Sequence, residues 1–223
     1  GLGGEFPGDP ARVVGLSRMT GGWRSPFPRF GAGVGLARTE AVAARLGLRL
    51  ADFADRSCVI TGSNGKGSTA AMTAAILTEG MGGVGLFTSP HLTNVCERMQ
   101  IDGQMIPREG FLAHAATVEA AALAHMAAVP GDQVSAFEHL FLTAALWFRA
   151  ESARLIVWEA GIGGRHDPTR LIRAKRTALV SLDLEHTAVL GPTLELIAMD
   201  KLDACAPGGL VVCGPDAAPL LDR

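Results

Sequence analysis

The chain has 223 residues, enough for one large or one and a half ordinary domains, and 48% of them are hydrophobic, so a sizeable core is available. A net charge of -2 gives no ground for a nucleic-acid or membrane surface and leaves basic residues to act at individual sites. No apolar run approaches a membrane span, and no charged stretch followed by an apolar one opens the chain, which starts at Gly1 as a processed, tagged or trimmed terminus does.

Residues 1–34, rich in Gly, Pro and Arg, read as an irregular arm with one short helix near Ala11–Met19. Gly35–Gly47 carries apolar residues at helical spacing and predicts an amphipathic helix capped by its closing glycine. Cys58-Val59-Ile60 is a buried strand. It runs into T-G-S-N-G-K-G-S-T, and the following A-A-M-T-A-A-I-L-T-E-G has the composition of a helix. Strand, glycine loop and helix N-terminus make a phosphate cradle, because glycines let backbone N–H groups converge on an anion and the helix dipole adds partial positive charge. Within it Lys66 can reach outer phosphates and the Ser68 hydroxyl can ligate Mg²⁺. The spacing Gly62-x-x-Gly65-Lys66-Gly67-Ser68 is tighter than the common phosphate-loop pattern, which needs glycine where Ile60 stands. The bland alternative is a glycine-rich turn with an incidental lysine.

Val84–Phe87 is a second strand, ending in Thr88-Ser89-Pro90-His91. Arg98–Ile106 alternates about Asp102-Gly103, a hairpin signal. Pro107–Val129 and Ser135–Glu151 read as helices, the second opened by the capping box Ser135/Glu138. Leu155–Trp158 is a third strand leading into Glu159-Ala160-Gly161-Ile162-Gly163-Gly164-Arg165. Thr177–Leu182 is a fourth, leading into Asp183-Leu184-Glu185-His186; Pro192–Cys205 is a helix and Gly209–Cys213 a fifth strand. This order predicts an α/β fold with a mostly parallel sheet covered by helices on both faces. Cys58, Cys96, Cys205 and Cys213 form no C-x-x-C pair, which argues against zinc and for a reducing, cytoplasmic compartment, with Cys58 and Cys213 as small buried hydrophobes.

Polar clusters therefore follow four strands, and in a parallel sheet those carboxyl ends share one edge, where ligands bind. A hydroxyl, a carboxylate and an imidazole there, drawn from Ser89, His91, Glu159, Glu185 and His186, could hold Mg²⁺ beside a bound phosphate. Taken singly each has a plainer reading. A histidine after a strand is more often a hydrogen-bonded structural residue, and Glu159 could equally be a helix cap or an ion-pair partner.

T-G-S-N-G-K-G-S-T, F-T-S-P-H-L followed by E-R, E-A-G-I-G-G-R-H-D and L-E-H-T, in that order, resemble the motifs of the folylpolyglutamate synthase/dihydrofolate synthase family within the Mur ligase superfamily. The opening helix G-L-A-R-T-E-A-V-A-A-R-L-G resembles that family's as well, so the resemblance runs from Gly35 to about Ala204. It implies a Mur ligase central-domain-like, phosphate-loop-type fold over 35–223, with ATP and Mg²⁺ as cofactors. The implied activity is ATP-dependent amide ligation: a folate or dihydropteroate carboxylate is activated as an acyl phosphate and then attacked by the amine of L-glutamate. A monomer is expected, with no nucleic-acid or membrane partner.

By position the resemblance gives Gly62, Ser63, Asn64, Gly65, Lys66, Gly67, Ser68 and Thr69 as the nucleotide loop and Lys66, His186 and Lys201 as catalytic residues. It gives Ser68 and Glu159 as ligands of the nucleotide-bound metal, and Ser89, Glu159 and His186 as a second metal site. Lys201 matches a lysine that relatives can carry carbamylated; otherwise it is an ordinary helix-surface lysine. The chain departs from the family pattern at Glu185, where aspartate is usual, at Arg170, where asparagine is usual, and at Asp200-Lys201-Leu202-Asp203-Ala204, which keeps the lysine and loses a glycine. Family members extend into a smaller C-terminal domain, so the expectation here is a fragment or a truncated relative. The competing readings are a nucleotide-binding relative without ligase activity and a Mur-type ligase acting on another carboxylate.

Overall fold

The computed structural model describes residues 23–215 and residue 217. The helix expected near Ala11–Met19 lies outside them. Seven strands form one sheet: β1 (Ser57–Thr61), β2 (Val84–Phe87), β3 (Met99–Ile101), β4 (Gln104–Met105), β5 (Leu155–Glu159), β6 (Arg176–Leu179) and β7 (Leu210–Cys213), in the order β4-β3-β2-β5-β1-β6-β7. β2, β5, β1, β6 and β7 run parallel, and β3 and β4 are antiparallel additions at one edge. The helices are α1 (Leu36–Arg45), α2 (Lys66–Met81), α3 (Arg108–Ala128), α4 (Ala136–Ala150), α5 (Thr187–Leu190) and α6 (Leu194–Leu202).

Side chains alternate across the strands and separate two cores. Val59, Phe87, Ile156 and Trp158 face the large core built with α1, α3 and α4, where Phe141, Phe148 and Phe53 pack around Trp158. Ile60, Val84, Leu86 and Val157 face α2, which buries only Ala70 and Ala74 and so lies close on the strands. By length and composition α3 could cross a membrane, contrary to the sequence expectation. Phe111, Ala115, Val118 and Ala122 on α3 are instead buried in the large core.

Local chemistry explains most boundaries. α1 ends on Gly47 at φ 63°, with Gly47 N–H on Ala44 O and Leu48 N–H on Ala43 O, the Schellman pattern that only a residue free to adopt positive φ closes cheaply. Asp102 and Gly103, both at positive φ, make the two-residue turn between β3 and β4. Ser135 and Glu138 cap α4 reciprocally, as expected. Three expectations need correction. β6 stops at Leu179, because Ser181 turns away to bond the glycine loop. The helix expected over Pro192–Cys205 is divided: Gly191 at φ 108° ends the short α5, and the Thr193 hydroxyl, accepting from Leu196 N–H, opens α6. Cys58 and Cys213 are half-buried, and Cys96 is the buried thiol.

Candidate functional site

The site is built on the carboxyl ends of three neighbouring parallel strands, β5, β1 and β6. β1 delivers the glycine loop, in which Gly62 and Gly65 both take positive φ, and Gly65 is the N-cap of α2 with no side-chain cap. Thr69 N–H makes the first intrahelical bond, to Gly65 O. The first-turn amides of Lys66, Gly67 and Ser68 precede any intrahelical acceptor, which is where an anion is held. Two loop amides point elsewhere: Ser63 N–H donates to Ser181 O at 3.0 Å and Asn64 N–H to Ser181 Oγ at 2.9 Å. The loop is thus strapped to the segment after β6. A Cβ on Gly62 would come within 3.0 Å of Ser181 N, so the strap requires glycine there. Ser181 carried no motif signal; only the pairing of β1 with β6 brings it to the loop.

Lys66 Nζ folds back onto the loop, donating to Gly62 O at 2.7 Å and Ser63 O at 3.1 Å. Burial, followed by the nearby Lys201 ammonium, holds it below the ordinary lysine value, against the pull of Glu185, Glu159 and Asp167. These mutual influences place two lysines and three carboxylates in one electrostatic neighbourhood.

Glu159 ends β5 level with Ile60 and is buried. Its Oε2 accepts Ser89 N–H at 2.7 Å, joining the ends of β5 and β2. Its Oε1 lies 3.4 Å from where a Cβ on Gly67 would stand, so glycine at this point of α2 lets the carboxylate reach the helix's first turn beside Ser68. Burial raises its pKa, opposed by the Ser89 amide, Lys66 and Arg98. A carboxylate facing the start of α2, with Ser68 next along the helix and Ser89 bonded to it through its amide, has residues at hand whose hydroxyls are hard oxygen donors, the kind that suits Mg²⁺ and not a softer metal. No cluster of three or more His, Cys, Asp or Glu side chains is placed to hold a metal among the described residues, so these hydroxyls are needed for a full set.

Lys201 is not the surface lysine of the plainer reading. It is 1% exposed on α6, with Nζ 2.7 Å from Glu185 Oε1. Burial pushes Glu185 up, but Lys201 and the Ser63 hydroxyl outweigh it and leave its pKa lowered. His186, at φ 45° and half-exposed, has Nε2 4.0 Å from Glu185 Oε2 and begins α5. Asp167 is a clamp: buried, it accepts from Gly161, Ile162 and Thr169 N–H and from Thr169 Oγ1, which shapes the turn after β5. Asp200 fixes the other end of that turn through Gly164 N–H at 2.9 Å. Arg170, where the family pattern has asparagine, is exposed and donates to Arg165 O.

A parallel sheet with a glycine loop, an uncapped helix start, a lysine and a carboxylate aimed at that helix defines a phosphate-loop nucleotide-binding domain. No protein-family model matches the chain. It is 40% identical over 148 residues to a probable bifunctional folylpolyglutamate synthase/dihydropteroate synthase of Haloferax volcanii, covering 66% of this chain and 17% of that protein. It is 35% identical over 170 residues to the dihydrofolate synthase/folylpolyglutamate synthase of Escherichia coli K12, covering 75% of this chain and 38% of that protein. A solved FPGS-AMPPCP-folate complex superposes with a TM-score of 0.80 at 31% identity, over 95% of this chain and 50% of that one. The chain is a homologue of the folylpolyglutamate synthase/dihydrofolate synthase family, in a Mur ligase-like α/β fold, and spans less than half the length of these two curated relatives.

Proposed function

We propose that this chain is the nucleotide-binding part of an ATP-dependent ligase that adds L-glutamate to a folate or dihydropteroate carboxylate through an acyl phosphate. The observation that carries the reading is the Glu159 carboxylate set against the first turn of α2, with Lys66 and Ser68 on that turn. The similarity to a protein solved with AMPPCP and folate supports the same choice of ligands. A free carboxylate is a poor acyl donor, and phosphorylation supplies a leaving group, so positioning and charge neutralisation carry most of the catalysis.

The amides of Lys66, Gly67 and Ser68 take the phosphates, and Lys66 leaves Gly62 O and Ser63 O to reach their outer oxygens. Ser68 and Glu159 hold Mg²⁺, with Ser89, Glu159 and His186 as a second metal site; Mg²⁺ neutralises phosphate charge when bound. Lys201, buried on Glu185, supports the edge on which His186 stands. Residues 35–223 form the ATP-binding domain and 1–34 an arm. The arm's described part packs Trp23 against Phe111 of α3. The four cysteines are free thiols, which suits a cytoplasmic compartment.

Calorimetric titration with AMPPCP, with and without Mg²⁺, tests the site. Wild-type chain binds in a Mg²⁺-dependent way, and Lys66→Ala and Glu159→Ala lose at least tenfold in affinity while keeping a native circular dichroism spectrum. Unchanged affinity in both variants refutes the assignment. The alternative, a nucleotide-binding relative without ligase activity, is favoured if the chain binds AMPPCP and the full polypeptide forms no ADP with folate and glutamate present.

A further inference from the structure

Arg98 closes the short 3-10 helix Val95–Arg98 ahead of β3, and its carbonyl accepts Thr88 N–H at 2.9 Å. The side chain is half-buried, and among the described residues its guanidinium makes one hydrogen bond, from Nε to His91 Nδ1 at 2.8 Å. Carboxylates nearby are engaged elsewhere. Glu97 accepts from the amides of Leu92, Thr93 and Asn94, and Glu159 Oε2 accepts from Ser89. The buried Arg38 of the same protein shows the ordinary solution, with Glu138 and Asp132 both bonded to it. A guanidinium has five N–H donors and no acceptor, so four of Arg98's donors remain for something else. The Arg98 Nε–H is also an obligate donor, so His91 Nδ1 must accept and the ring proton lies on Nε2, a further donor. Ser89, two residues before His91, donates its amide to Glu159 Oε2 at 2.7 Å, so the Arg98–His91 pair stands at the edge of the nucleotide site.

We propose that Arg98 and His91 form an oxyanion seat beside Glu159 and Ser89, taking the reactive carboxylate of the acceptor substrate. This rests on the ligase reading above. The carboxylate is the expected occupant because the phosphates already have Lys66 and the α2 amides. The terminal phosphoryl group of the nucleotide is the other source of the same chemistry. Arg98 lies six residues beyond the T-S-P-H-L run, in the E-R that follows it, and only the fold sets its side chain against His91.

Wild-type chain, Arg98→Met, Arg98→Lys and His91→Gln are titrated with Mg-AMPPCP, with folate, and with the uncharged bis-carboxamide of folate. Arg98→Met is expected to bind folate at least tenfold more weakly while AMPPCP and the carboxamide stay within twofold. Arg98→Lys, which keeps the charge should Arg98→Met fold poorly, and His91→Gln fall between it and wild type. A loss confined to AMPPCP assigns the seat to the phosphoryl group. Folate and AMPPCP both within twofold in Arg98→Met and Arg98→Lys overturn the proposal. An equal loss for the carboxamide also overturns it, because Arg98 would then only prop the loop. A folded wild-type chain that binds neither folate nor AMPPCP brings down the ligase reading itself.

Discussion

Glu97 gathers the amides of Leu92, Thr93 and Asn94 and the Thr93 hydroxyl onto one carboxylate, which makes it the organiser of the loop that carries Ser89 and His91. Led by the Thr93 hydroxyl and the Leu92 amide, these donors lower its pKa from 4.5 to about 2. A depressed folded-state pKa stabilises the loop fully above the unfolded value, and that contribution is lost as pH falls through the folded one. Hydrogen exchange at Leu92, Thr93 and Asn94 should therefore stay protected from pH 7 down to the 4.5 of an ordinary glutamate and lose protection on approaching pH 2. Glu97→Gln should remove the protection across the whole range, and equal protection in both proteins would refute this role. At this scale the sequence reads unevenly. Lys66, Ser68 and Glu159 announce themselves by following strands within recognisable patterns. Ser181 does not, and Glu97 and Asp200, though they stand in the E-R and Asp200-Lys201 runs, carry no sign of the amides they bond, because that backbone is near only after folding and an amide leaves no mark in a sequence.

Contact between elements is what the glycines of the third motif protect. A Cβ on Gly164 would overlap Lys201 O and stand 2.7 Å from Asp200 O, so α6 rests directly on the turn after β5. Gly164→Ala should push α6 outward and draw Lys201 away from Glu185, costing about 1–3 kcal/mol as overpacking does. Mg-AMPPCP affinity should fall with it. Gly47→Ala is the matched control: its positive φ carries a penalty of roughly 1 kcal/mol, but open space surrounds it, so nucleotide affinity should not change. Equal effects on affinity would show that α6 is not coupled to the site. Strands, the capping box, the hairpin and the glycine-closed α1 were legible because each follows from local pattern. The end of β6 and the division of α5 from α6 were not, since the Ser181 strap and the Gly191 turn are set by the loop and by Leu196 packing, not by propensity.

Over the whole molecule, the arrangement predicts linkage between nucleotide and fold. The loop is tied to β6 through Ser181, β5 to β2 through Glu159 and Ser89, and the segment after β6 to α6 through Glu185 and Lys201, so one ligand bears on most of the sheet's carboxyl edge. The sequence showed that four strands end in polar clusters but not their order, because strand order is fixed by crossovers and packing that no single segment encodes. That order, with β1 between β5 and β6, sets the three ties on neighbouring strand ends around the glycine loop. A ligand that binds only the folded state at a hundred times its dissociation constant stabilises by about 2.7 kcal/mol. For a domain of this size that corresponds to a rise of roughly 5–10 °C in melting temperature. Mg-AMPPCP at that concentration should shift wild-type chain by this amount in a single cooperative transition. Lys66→Ala and Glu159→Ala, at least tenfold weaker, should keep no more than about half of that shift at the same concentration. A shift of the same size in the two variants would mean that the nucleotide is held elsewhere. A second, unshifted transition in wild type would mean that the three ties do not carry the effect past β1.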